Sequence, residues 1–139
     1  MAPTVFDSFP VPPVARLLGW KLTALDPHAG TIEVEFVAKP EFINPSGFVQ
    51  GGILAAMLDD TLGPAAFAMT AGTRMTTTID LSLHYVRPAL PGRITTKARV
   101  INLGARVAFL EGELFDADGK LSVVATASAF LADYKPTPT

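Results

Sequence analysis

The sequence predicts an α+β fold in which a curved antiparallel sheet wraps around one long apolar helix. Three observations carry that expectation. From Gln50 to Gly72 the chain is apolar on every side, and its only charged side chains are two neighbours, Asp59 and Asp60. Two short alternating segments precede this stretch and four longer ones follow, each bounded by Gly, Pro, Asn or Asp. The 139 residues, 49% hydrophobic and 17% charged, suffice for one sizeable core and describe a single domain over residues 1–139.

Taken in order, residues 1–13 carry Pro3, Pro10, Pro12 and Pro13 and read as an irregular arm. Pro12 and Pro13 open a short helix, Val14 to Leu18, which Gly19 ends. Trp20, Leu22 and Ala24 alternate as a first strand. Asp26-Pro-His-Ala-Gly30 is a turn, and Thr31 to Val37 follows as a second strand with Ile32, Val34 and Phe36 on one face. A loop from Lys39 to Gly47 leads into the central helix near Gln50. Pro64 lies inside that helix, lacks an amide donor and crowds the carbonyl of Asp60, so a kink or break is expected at residues 60–63. Beyond Gly72, Arg74 to Arg87 alternates with Thr77, Ile79, Leu81, Leu83 and Tyr85 on one face and Thr76, Thr78, Asp80, Ser82 and His84 on the other. Ile94–Leu103, Arg106–Phe115 and Leu121–Ala132 complete four strands that should meander, and Lys135 to Thr139 reads as a frayed tail. A helix apolar all round needs cover on more than one side. A curved sheet and a second copy of the chain provide it. That arrangement is the hotdog fold.

Several function classes drop out. Net charge is −2 with no Lys/Arg run, so neither nucleic acid nor a membrane surface is an expected partner. The chain has no cysteine, which removes disulfides, thiol nucleophiles and thiolate metal sites and fits a cytoplasmic protein. No basic segment precedes an apolar run at the N-terminus, so no signal peptide is expected. Residues 50–72 are long enough to span a bilayer, but each central carboxylate costs roughly 2.5–3.5 kcal/mol on insertion. With two histidines a metal site is not expected, and the glycine pairs form neither a dinucleotide nor a P-loop motif. His28 sits in a turn, and His84, Ser82 and Asp80 are spaced too widely along one strand to make a triad. Met57, Met69 and Met75 read as core or as pocket lining.

A carboxylate is almost never buried without a partner or a job, which makes Asp59 and Asp60 the chemical candidates. At this point the sequence resembles the hotdog-fold acyl-CoA thioesterases of the phenylacetate-degradation type. The family's loop Asn, its His-Gly-Gly and its helix Asp align with Asn44, Gln50-Gly51-Gly52 and Asp59 at the same spacings. Its aromatic-x-Arg-Pro strand end aligns with Tyr85-Val86-Arg87-Pro88, and the order of elements agrees from about residue 18 to 133. Gln50 stands where the family has His. Gln donates and accepts hydrogen bonds but carries no titrating proton, so position 50 is left to positioning.

Thioester hydrolysis needs a carboxylate that activates water or attacks directly, and preorganised donors for the oxyanion. The resemblance implies Asp59 as general base or nucleophile, with Asn44 orienting the carboxylate or a water and Thr78 contributing a hydroxyl nearby. Gly51 and Gly52, at a helix N-terminus, supply unpaired N–H groups with no Cβ to block approach. Eight residues of helix separate Gly51 from Asp59 by roughly 12 Å, too far for one reacting carbon. The two would therefore serve one site from different subunits, which predicts a homodimer, assembling further as a dimer of dimers. The substrate would be an acyl- or aryl-CoA, whose coenzyme A is part of the substrate rather than a cofactor. A non-catalytic protein that binds acyl- or aryl-CoA on the same scaffold is the alternative, and an acyl-CoA dehydratase a third reading. Each residue also has a plainer role. Asp60 would be structural, paired with an Arg; Gln50 would cap the helix; Asn44 would be a turn residue; and Thr78 would be an ordinary β-former.

Overall fold

The computed structural model describes residues 1–134. Six strands form one antiparallel sheet: β1 (Lys21–Asp26), β2 (Thr31–Ala38), β3 (Arg74–Tyr85), β4 (Gly92–Leu103), β5 (Val107–Phe115) and β6 (Leu121–Asp133). A short helix, α1 (Pro13–Leu18), precedes β1, and the long helix α2 (Gly51–Met69) joins β2 to β3 and packs against β2 through β6. The fold is the hotdog fold, with six antiparallel strands packed on a long central helix.

The strand order is β1-β2-β4-β5-β6-β3, which corrects the expected meander. β3 does not pair with β4. Instead it lies at the far edge beside β6, and β4 pairs with β2. Local alternation finds a strand but says nothing about which neighbour it takes. Here α2 separates β2 from β3 in sequence, and β4, β5 and β6 lie between them in the sheet.

A bulge in β3 corrects its face assignment as well. Thr78 lies opposite Ala129 and Asp80 opposite Ser128, so Ile79 is an extra residue. The parity of the strand flips there. Thr76 and Thr78 face α2 before the bulge, as do the part-buried Leu81 and Leu83 after it. Asp80 Oδ1 takes the Ser128 N–H at 3.1 Å and also accepts from the Ser128 hydroxyl, compensating for the interrupted ladder.

α2 runs unbroken through Pro64, so the expected break does not occur. Without an amide at Pro64, the Asp60 carbonyl loses its helical donor. The Nε1–H of Trp20, the chain's single tryptophan, donates to that carbonyl at 2.9 Å instead. Leu54, Met57, Leu58, Leu62, Ala65 and Ala66 then bury α2 against Ile32, Val34, Phe36, Ile94, Leu110 and Leu114. Gly112 sits under the helix, where an added Cβ would lie 3.3 Å from Leu58 Cδ2 and 3.3 Å from the Lys97 carbonyl oxygen.

Within the N-terminal arm, residues 1–4 and 9–12 carry no helix or strand, and one turn is regular. Val5–Ser8 forms a 3-10 turn whose start is fixed by the Thr4 N–H donating to Asp7 Oδ2 at 2.7 Å. From it Phe6 packs edge-on against Trp20, with centroids 5.3 Å apart. Phe9 and Tyr134 both reach the ring of Phe67 on α2, at 5.1 and 5.6 Å. Two phenylalanines three residues apart thus anchor the arm to Trp20 and α2. The tail from Lys135 to Thr139 lies outside the described residues.

Candidate active site

A glycine brings α2 close to the edge strand. A Cβ on Gly63 would lie 2.8 Å from Thr76 Oγ1, a separation that only glycine tolerates without movement of the strand residue. One helical turn earlier, the same approach lets Asp59 reach β3. The Thr78 hydroxyl donates to Asp59 Oδ1 at 2.8 Å. Asp59 is otherwise exposed, so its carboxylate is held on one oxygen and open to solvent.

Asp60 has a different environment. It is half-buried, and its Oδ2 is buried with no hydrogen-bond partner. Burial, and secondarily the charge of Asp59, push its carboxyl up to about 6. No Arg pairs with it among the described salt bridges, which corrects the expected ion pair.

Both residues line one cavity of about 420 Å³. Its walls come from Phe6, Phe9, Trp20, Phe67, Met75 and Tyr134, with Thr76, Thr78, Gly63 and Pro64 completing the side nearest β3. Both neighbouring carboxylates thus line it, although adjacent helical residues point about 100° apart. Met57 is fully buried core, while Met75 belongs to the cavity wall.

The other end of α2 is built separately. Gln50 is its N-cap but makes no side-chain capping bond and stands exposed, so it is not the cap expected of it. The N–H groups of Ile53 and Leu54 return to the Gln50 carbonyl at 3.0 and 3.2 Å, so Gly51 and Gly52 precede the first helical bonds. Gly52 is exposed, and a Cβ there would meet nothing within 4 Å. Tyr85, at the end of β3, donates its hydroxyl to the Gly51 carbonyl at 2.7 Å. Burial pushes that hydroxyl up, which keeps it a donor. Asn44 shapes the loop that enters the helix. Its Oδ1 accepts from the Ser46 N–H at 2.9 Å and the Phe48 N–H at 3.2 Å, an Asx turn closed by the Ile43–Val49 bridge.

Among the described residues, then, the chain joins Thr78 to Asp59 but links neither Asn44 nor Gln50 to that carboxylate by a hydrogen bond. Gly51 and Asp59 stand on one helix eight residues apart. Among these residues no group of three or more His, Cys, Asp or Glu could hold a metal ion, and no helix is long and apolar enough to cross a membrane.

A profile of the thioesterase superfamily matches residues 46–123, from the loop before α2 into β6. The chain belongs to the thioesterase superfamily. Within this superfamily it is similar in structure to a phenylacetic acid degradation-related protein from Ralstonia eutropha JMP134. That protein is 41% identical, with a TM-score of 0.80, and the match covers 91% of this chain and 95% of the other. A thioesterase family protein from Silicibacter pomeroyi is 25% identical with a TM-score of 0.84, over 94% and 96% of the two chains. The 1,4-dihydroxy-2-naphthoyl-CoA hydrolase of Escherichia coli K12 is 25% identical over 96 residues, covering 68% of this chain and 71% of that enzyme.

Sequence reasoning missed the aromatic walls and the isolation of Asp60. A signal for the first was present. Pro64 deprives the Asp60 carbonyl of a donor, and tryptophan carries a side-chain N–H able to replace it. Nothing local announced that Phe6 and Phe9 would fold back across α2.

Proposed function

We propose that the protein hydrolyses an acyl- or aryl-CoA thioester to the free acid and coenzyme A. The observation that carries this reading is the Asp59 carboxylate, fixed by Thr78 and exposed at an aromatic cavity that can take the acyl group. Asp59 either removes a proton from the attacking water or adds to the thioester carbon itself. The carbonyl oxygen becomes negative and needs donors. The Gly51 N–H, at the positive end of α2, supplies one, and Gly52 lies beside it. Gln50 contributes position rather than a proton. Asn44 holds the loop that presents these donors.

Within one chain the donors and the carboxylate are too far apart, so the site is shared across a homodimer. β3 supports this reading because it is the longer of the two edge strands, twelve residues, and carries the exposed Met75, Ile79 and Tyr85. Both halves of the site are also tied to it, Asp59 through Thr78 and Gly51 through Tyr85. Two β3 strands paired antiparallel about a two-fold at Ser82, with Ile79 bulged, would set Thr78 opposite Tyr85 of the partner subunit. Asp59 would then face the glycine end of the partner's helix. A pair of such dimers forms the tetramer.

Thiol release from a panel of short, medium, long and aromatic acyl-CoAs tests the function, with dilution and sedimentation run on the same samples. Hydrolysis that falls away as the dimer dissociates is the expected result. Ligand protection against thermal unfolding with no thiol release would support the non-catalytic acyl-CoA-binding reading instead, and a fully active monomer would overturn the shared site.

A further inference from the structure

We propose that Tyr85 is the positioning residue of the oxyanion donors. Its hydroxyl, bonded to the Gly51 carbonyl, holds the Gly51–Gly52 peptide in place and makes the Gly52 N–H a second donor beside that of Gly51. This role rests on the thioester-hydrolase reading and adds a residue to that site. Two glycines open α2, and a backbone without Cβ is the most mobile kind a chain can place there. Gly52 has no packing to steady it, since a Cβ there would meet nothing within 4 Å. Among the described residues neither glycine N–H donates a hydrogen bond. Oxyanion donors work only when they are aimed beforehand, because turning them during the reaction costs what they would supply. Something outside the helix must hold this turn.

The end of β3 and the segment after it do so. Ahead of the glycines, the Val49 N–H donates to the Ala89 carbonyl at 3.0 Å and the Gln50 N–H to the Phe42 carbonyl at 2.8 Å. On the glycines themselves, the contact is the Tyr85 hydroxyl on the Gly51 carbonyl at 2.7 Å. The ring lies against Gly51, where a Cβ would be 3.4 Å from Tyr85 Cε1 and Cζ, so packing sets the direction of the hydroxyl. Tyr85 is fixed in turn by pairing with Val123 and by the Val86 N–H, which donates to the Ser122 carbonyl at 2.9 Å. A helical carbonyl accepts from the amide four residues on and has a second lone pair, which Tyr85 takes. The peptide unit is planar and trans, so a carbonyl held at Gly51 sets the Gly52 N–H pointing the opposite way. An amide bonded at its oxygen is also more polarised at its nitrogen, which strengthens that donor.

Tyr85→Phe keeps the ring and removes the hydroxyl. On the best thioester of the acyl-CoA panel, kcat should fall about tenfold with KM within about twofold, less than the roughly 100-fold or more lost when an oxyanion donor is removed outright. The matching dithioester, whose thiocarbonyl sulfur accepts hydrogen bonds poorly, separates aiming from mere structure. Wild type and Tyr85→Phe should turn it over at nearly equal rates. Sedimentation is run on the same samples, because Tyr85 also lies on the edge strand. Unchanged kcat in Tyr85→Phe, an equal loss on thioester and dithioester, or a loss that disappears once the dimer is restored by concentration would each overturn the role of Tyr85 and leave the hydrolase reading standing. Absence of thiol release by wild type across the whole panel would overturn that reading, and the role of Tyr85 with it.

Discussion

Asp59 and Asp60 are adjacent in sequence and alike in chemistry, yet α2 gives them opposite circumstances. Asp59 is exposed and holds a hydrogen bond from Thr78 across the gap that Gly63 keeps narrow. Asp60 turns into the molecule, where its backbone carbonyl is satisfied by Trp20 and its side chain is not satisfied by the protein. One carboxylate is oriented and accessible, as a reacting group must be, and the other is desolvated and without a partner among the described residues. A rotation of about 100° along one helix separates an accessible carboxylate from a desolvated one.

The sharpest way to break this comparison is to neutralise each group in turn. Asp59→Asn should lower kcat at least a hundredfold while Asp60→Asn lowers it far less, measured by thiol release on a single good substrate. Equal losses would mean that the two residues share one role. Next in size is the backbone half of the contrast. Trp20→Phe leaves the Asp60 carbonyl without a donor and should cost about 1–3 kcal/mol in chemical denaturation. Adding Pro64→Ala should recover part of that loss, because an alanine N–H at position 64 can bond the same carbonyl. No recovery would show that the ring of Trp20, rather than its N–H, carries the effect.

Thr78→Val removes the hydroxyl from Asp59 while keeping a β-branched strand residue. Turnover should fall about tenfold with little change in KM, since the bond orients a carboxylate rather than gripping substrate. The smallest effect concerns pH. The carboxyl of Asp60 titrates higher in the folded protein than in the unfolded chain, where it stays near 3.8. Between those values the folded state holds the extra proton, so stability falls as pH rises from about 4 to about 6 and stays lower above. Asp60→Asn should therefore raise stability by about 1 kcal/mol at pH 8, allowing for solvent screening, and leave it unchanged at pH 4. A thermal-melt series across that range reads the difference directly.

Much of this was legible before any coordinates. Alternation located β2 and the three last strands to within a residue or two, because each buries one face and a period of two leaves a plain trace. The Asn44 turn, the glycine pair and the two carboxylates stood out because each is a costly choice beside an apolar helix. The face of β3 was misread because a bulge at Ile79 inserts one residue, and alternation carries no mark of an insertion that the partner strand defines. The anchoring of the arm was not legible, because Phe6 and Phe9 are held by Trp20, Phe67 and Tyr134, and rings distant in sequence leave no local trace.

What the sequence by itself determined is the inventory: one apolar helix, six strands, a helix start free of side chains and two carboxylates with no cation nearby in the chain. These follow from composition and local period, which depend on neighbours a few residues away. Only the tertiary structure decided that β3 takes the edge beside β6, that α2 passes through Pro64 because Trp20 supplies the missing donor, and that Asp59 meets Thr78 while Asp60 meets nothing. Those outcomes depend on groups brought together from forty residues apart, as for Trp20 and Asp60, or more, as for β3 and β6, and burial and hydrogen-bond satisfaction are settled only when such groups meet.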